Sequence, residues 1–168
     1  MTDTQKDTQK IEDAFWKSLR SDMTVMLVLC NEADDRSRPM TAQIDGDADA
    51  GPIYFFGGKD SSLYTKMGTS SAQAEFTLVP KGHDLFAAVE GELSVCHDNA
   101  VLERLWNPFV AAWYPGGKDD PNLVLLKMEI GDAKVWLSGN SLVAGIKMLL
   151  GMDPKKSYSD KVAKLNLA

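Results

Sequence analysis

The chain has 168 residues, of which 44% are hydrophobic and 25% charged, and this suits a single soluble domain with a full hydrophobic core. Its formal net charge of −6 and pI near 4.9 argue against a binder of nucleic-acid backbones, which needs a basic surface. No apolar run is long enough to span a bilayer and the polar start, MTDTQKDTQK, carries no signal-peptide pattern, so the expected location is the cytoplasm.

Residues 1–9 lack hydrophobic periodicity and are expected to form a flexible tail ahead of one domain spanning 10–168. From Lys10 to Ser21, Ile11, Phe15 and Leu19 recur at helical spacing. Thr24 to Cys30 is continuously apolar and β-branched, which predicts a buried strand. A turn over Asn31–Ser37 precedes a strand from Arg38 to Ile44, and Pro52 to Phe56 gives another. Asp60-Ser61-Ser62 can cap a short helix over Leu63 to Met67 that Gly68 ends. Ala72, Ala74, Phe76 and Leu78 alternate with more polar residues in a half-buried strand. Leu85 to Cys96 reads as a long strand in which Gly91 marks a bulge or bend.

Asp98 caps a helix running to about Trp106. An aromatic segment (Asn107-Pro108-Phe109, then Trp113-Tyr114-Pro115) and the turn-rich loop Gly116–Pro121 follow. Leu123 to Met128 and a short run ending at Trp136 predict two strands. Residues 141–150 read as an apolar helix, and Val162, Leu165 and Leu167 as a final docking segment. Many hairpin connections without regular strand–helix alternation point to a closed antiparallel barrel.

The sequence presents no catalytic nucleophile in a GxSxG elbow. His83 and His97 are isolated, and the two cysteines, Cys30 and Cys96, are expected to be buried free thiols, so no metal centre is expected. Asp34-Asp35 and Asp119-Asp120 read as turn formers. Arg38 could clamp an anion bidentately, and Lys59, Ser61 and Ser62 lie at a helix start that could hold a phosphate. Plain helix capping explains the two serines equally well.

Three segments carry a resemblance. They are Arg38-Pro39-Met40-Thr41, Ile53-Tyr54-Phe55-Phe56 running into Lys59-Asp60-Ser61, and Leu105-Trp106-Asn107-Pro108 through Trp113-Tyr114-Pro115-Gly116-Gly117-Lys118-Asp119-Asp120-Pro121 to Leu125-Leu126-Lys127. On these residues the chain resembles the FMN-binding split-barrel proteins related to pyridoxamine phosphate oxidase, in particular their general stress protein subgroup. The resemblance implies a mainly β fold, a six-stranded antiparallel split barrel of Greek-key type with flanking α-helices and a C-terminal helix and tail. It also implies a homodimer that holds FMN, or FAD as the alternative, at the subunit interface. Arg38, Met40 and Thr41 would then lie along the flavin, with Arg38 near its phosphate or ribityl end. Phe56 and Gly57 would offer backbone groups to the ring edge, and Lys59, Ser61 and Ser62 would approach the phosphate. Trp136 would reach the cofactor from the second subunit.

Two departures from the family pattern follow. The basic residue usual two positions after the serine matched by Ser61 is replaced by Leu63, with Lys59 and Lys66 as the candidate substitutes. Neither arginine nor histidine occurs between Leu137 and Ile146, where the true oxidases place the residues that handle their vitamin substrate. The resemblance therefore implies a flavin-dependent oxidoreductase, with a nicotinamide as candidate electron donor, other than pyridoxamine phosphate oxidase. The alternative is a non-catalytic flavin-sensing or buffering module. Of the tryptophans, Trp106 is expected to be a core or helix-packing residue, whereas Trp113 and Tyr114 read as interface or cleft-rim groups.

Overall fold

The computed structural model describes residues 2–138 and 162–168, so the helix expected over 141–150 lies outside the described residues. Helix α1 (Asp3–Ser21) begins well before Lys10. The polar stretch expected to form a flexible tail is helical because Thr2 and Gln5 form a reciprocal capping box and satisfy first-turn N–H groups. Its buried face, Ile11, Phe15, Trp16 and Leu19, lies against strands β6, β7 and β8 defined below. Burying each of these large side chains contributes about 1.5–3 kcal/mol.

Among the described residues eight strands form one antiparallel sheet: β1 (Thr24–Leu29), β2 (Arg38–Thr41), β3 (Gln43–Ile44), β4 (Ile53–Gly58), β5 (Ala72–Leu78), β6 (Leu85–Val95), β7 (Leu123–Leu137) and β8 (Val162–Asn166). The path runs β2-β1-β5-β6-β7-β4-β3, with β8 added along β7. Its two ends are consecutive in sequence. The run from Arg38 to Ile44 breaks at buried Ala42, whose N–H donates to the Met23 carbonyl. β2 pairs with β1 and β3 with β4, which brings the sheet round into a nearly closed barrel. The six strands expected become eight because this run splits in two and because the docking segment around Leu165 pairs as β8.

The two strands expected between Leu123 and Trp136 are one continuous strand, β7. Gly131-Asp132 is absorbed at a register shift opposite the Val89–Gly91 segment of β6. A Cβ on Gly91 would run into the Glu129 carbonyl oxygen, so the close approach of the two backbones requires glycine here.

The interior is apolar, with Leu27, Phe55, Phe76, Leu93 and Met128 among its members. In β1 only Val25, Leu27 and Leu29 face it, and Met26 is exposed. This alternation carries Cys30 outward. The cysteine is exposed rather than buried, and Cys96 is half-buried, both as free thiols. A second cluster packs α3 (Asn99–Leu105) on the outside of β4 and β7 through Tyr54, Val101, Leu105 and Leu125. Asp98 caps α3 as expected, and Arg104 on it bonds Asp45 through two nitrogens at 2.7 and 2.9 Å.

Candidate functional site

The sheet leaves one seam open. β4 pairs with β7 over its whole length, but with β3 only through Ile53 and Tyr54. From Phe55 to Gly58 the other backbone edge of β4 has no strand partner among the described residues, because β2 turns away to pair with β1. Phe56 and Gly57, expected to offer backbone groups to a ring edge, lie on that free edge. The Phe56 side chain meets Trp106 edge-on at 6.1 Å. Trp106 is half-buried at the end of α3, packed against Phe56 rather than within the core.

A turn then leads into α2 (Ser62–Met67). Ser61 is its cap, with its Oγ accepting from the Tyr64 N–H at 3.2 Å, so helix capping accounts for this serine. Ser62 opens the helix and is exposed. Lys59 is also exposed, and its backbone N–H donates to the Asn122 carbonyl at 2.8 Å. The Asn122 side chain accepts from the Asp60 N–H at 3.0 Å, which fastens this turn to the aromatic loop. In that loop α4 (Pro108–Ala111) is capped by Asn107 and is followed by a single 3₁₀ turn, Gly117–Asp119. Phe109 and Trp113, 85% and 82% exposed, stand out from it, while Tyr114 is half-buried. Burial, followed by the nearby charges of Asp60 and Asp120, raises the Tyr114 pKa.

The electrostatic centre of this end is Asp35, a residue that sequence reasoning takes for a turn former. Its neighbour Asp34 is exposed, but the Asp35 side chain is only 1% exposed. Oδ2 accepts from the Leu29 N–H at 2.8 Å, and Oδ1 accepts from both Arg38 and Lys66, the latter at 3.2 Å. Burial by itself would raise the Asp35 pKa. The hydrogen bonds from Arg38, Leu29 and Lys66 and the Arg38 charge outweigh it and bring the pKa down to about 2. The available signal in the sequence is an acidic residue three positions before Arg38; nothing local marks Lys66, which reaches Asp35 only in the fold.

Arg38 is not satisfied by Asp35. Among the described residues its Nη1 is buried without a hydrogen-bond partner, as is Trp16 Nε1 in the core. A buried donor left unpaired costs about 1–3 kcal/mol, more when it is charged. Met40 is half-buried against the core and pairs with Val25; Thr41 is exposed and pairs with Thr24.

Trp136 lies elsewhere. It belongs to the far end of β7, roughly 40 Å of strand contour beyond Val124, which pairs with Gly57. It lines a cleft of about 540 Å³ on the outer sheet face, along with Glu75, Ala88, Glu90, Lys134 and Lys164. Lys134 Nζ sits 5.0 Å from the centre of the Trp136 ring. None of Arg38, Met40, Thr41, Phe56, Gly57, Lys59, Ser61 or Ser62 lines this cleft. Three carboxylates, Glu75, Glu90 and Asp132, disfavour an anion there, so the Arg38 end is the better anion site. Among the described residues, no group of three or more His, Cys, Asp and Glu could hold a metal ion, and no helix is long and apolar enough to cross a membrane.

A nearly closed antiparallel barrel with an open seam and a cationic end defines the class. Over residues 9–159 the chain matches the family described as pyridoxamine 5'-phosphate oxidase like, and it belongs to that family. It is similar to two solved structures at 48% identity and a TM-score of 0.73 each. One is a general stress family protein of Xanthomonas campestris pv. campestris, with 83% of this chain and 92% of the other covered. The second is the general stress FMN/FAD binding protein of Xanthomonas citri, with 79% and 92% covered. A 65-residue stretch is 26% identical to General stress protein 26 of Bacillus subtilis, covering 39% of this chain and less than half, 46%, of that protein.

Proposed function

We propose that this protein is a flavin-binding protein of the general stress type, with FMN as the preferred ligand and FAD as the alternative. The observation that carries the reading is the buried Arg38 Nη1, which has no hydrogen-bond partner among the described residues, on the strand whose departure to β1 leaves the β4 edge free. A flavin phosphate supplies the missing acceptor, and a flavin ring edge can pair with backbone groups of Phe56 and Gly57. Arg38, Met40 and Thr41 would border the ligand, with Lys59 and Ser62 at its phosphate side. The Xanthomonas citri relative, at 48% identity, is described as binding FMN and FAD.

Bound flavin would supply redox chemistry, and the chain would position it and set its electrostatics. His83 and His97 are both exposed, in a turn and just after a strand end, and neither is among the residues that bond Asp35 or Arg38. With no arginine or histidine between Leu137 and Ile146, the reaction differs from oxidation of pyridoxamine phosphate. The visible spectrum of the purified protein, with and without added FMN, tests this reading. Flavin absorbance or quenched FMN fluorescence at tens of micromolar is expected, and a colourless protein that leaves FMN unchanged refutes it. Reduction of bound flavin by NADH or NADPH would separate an oxidoreductase from a flavin-sensing module.

The working unit in this proposal is a homodimer. On the outer sheet face Glu75 stands directly opposite Glu90, and one row away Lys134 stands opposite Lys164. Like charges face to face in a sheet are unfavourable. A second copy packed by a two-fold axis can set each acidic row against the other copy's basic row. The adjacent row, Phe86, Trp136 and Val162, provides apolar contact. The same packing lets Trp136 of one protomer approach a flavin held by its partner. Light scattering on Lys134→Glu/Lys164→Glu should show loss of a wild-type dimer; an unchanged dimer rejects this face.

A further inference from the structure

We propose that Lys66, held beside Arg38 by Asp35, is the second cation of an anion-binding end built for a phosphate monoester, and that it replaces the basic residue missing at Leu63. This rests on the flavin reading for the identity of the ligand but not for the existence of the anion site. Leu63 is 2% exposed and belongs to the main core, so its position cannot present a charge to a ligand. Lys66 lies one helical turn later, 29% exposed, and its Nζ reaches the Asp35 oxygen that Arg38 also bonds.

Asp35 is anchored from behind by the Leu29 N–H, so it fixes both cations without being free to leave them. One carboxylate against two cations leaves the cluster positive. It also leaves donors in hand: Arg38 Nη1 is buried with no acceptor among the described residues, and the Lys66 ammonium has three donors with one hydrogen bond to Asp35. A terminal phosphate brings several acceptor oxygens and up to two negative charges, which a single neutral acceptor does not. Lys59 has no comparable tie: it is exposed on the turn before α2.

The test compares Lys66→Gln, Lys66→Arg, Lys59→Gln and the remote surface variant Lys17→Gln. FMN and riboflavin, which differ only in the phosphate, are titrated by fluorescence against each. Lys66→Gln should weaken FMN about ten- to a hundredfold and leave riboflavin within about threefold, while Lys66→Arg retains most of the FMN affinity. Equal losses for both ligands, or a larger FMN loss in Lys59→Gln than in Lys66→Gln, overturn the assignment. If the wild-type protein binds neither ligand, the flavin reading fails, and inorganic phosphate becomes the probe. Phosphate at tens of millimolar, against chloride at matched ionic strength, should then raise the Tm of wild type and Lys17→Gln but not of Lys66→Gln. No phosphate-specific rise in wild type, or an equal rise in Lys66→Gln, overturns the anion site itself.

Discussion

Replacing Asp35 by Asn tests the electrostatic centre of the molecule. The substitution keeps an oxygen for the Leu29 N–H but removes the charge that Arg38 and Lys66 share. The carboxyl titrates near 3.8 in the unfolded chain and at about 2 when folded. A depressed folded pKa means that ionised Asp35 stabilises the fold above the unfolded pKa, and that this contribution fades as pH falls towards the folded one. The difference of nearly two units corresponds to about 2.5 kcal/mol at pH 7. It should still be near full size at pH 5 and fall to about half by pH 3. Urea unfolding of wild type and Asp35→Asn at pH 7, 5, 4 and 3 measures this directly. Wild type should be more stable by about 2–3 kcal/mol at pH 7, and the gap should narrow only below about pH 4. A gap under about 0.5 kcal/mol at pH 7, or one that stays constant to pH 3, would falsify the view that Asp35 is a paired, buried anion.

Three further outcomes follow from the same structure. Gly91→Ala should lower stability by roughly 2 kcal/mol or more in urea, because the added methyl meets the Glu129 carbonyl; a change within about 0.5 kcal/mol would remove the case for a forced glycine. Leu63→Lys, which restores the family's usual basic residue, should destabilise the fold by several kcal/mol instead of strengthening phosphate binding, since that side chain sits in the core. A Leu63→Lys protein that keeps the wild-type Tm and binds FMN more tightly would contradict the buried placement. Cys30 is exposed, but partial desolvation of its thiol and then the carboxylates of Glu75 and Glu90 raise its pKa. Thiol labelling at pH 7 should therefore be slower than for a small-molecule thiol and accelerate in Glu75→Gln/Glu90→Gln; labelling at the free-thiol rate counts against this environment.

Local rules make much of the chain legible. Ser61 and Asp98 cap their helices, Gly68 closes α2, and β5 and β6 follow their alternation, because these features depend on a few neighbouring residues. The barrel class is readable from the succession of hairpins, and the family from the Arg38–Thr41, Ile53–Ser61 and Leu105–Lys127 segments. The polar start of α1 escapes these rules because hydrophobic periodicity is silent where the helical residues are polar and the cap holds the first turn. Cys30 escapes them for the opposite reason. An apolar run does not say which of its two faces meets the core.

Local chemistry along the chain thus decides where most helices and strands start and stop, and which residues could carry an anion. It does not decide which of them meet. Asp35, Arg38 and Lys66 converge only because β1, β2 and α2 come together in the folded barrel; a turn former, a strand residue and a helix lysine thereby become one charge cluster. Leu63 loses its place in that cluster because the same packing turns it into the core. The tertiary structure likewise sets Trp136 in a cleft that Arg38 and Lys66 do not line, an arrangement made by strand pairing and invisible to spacing along the chain.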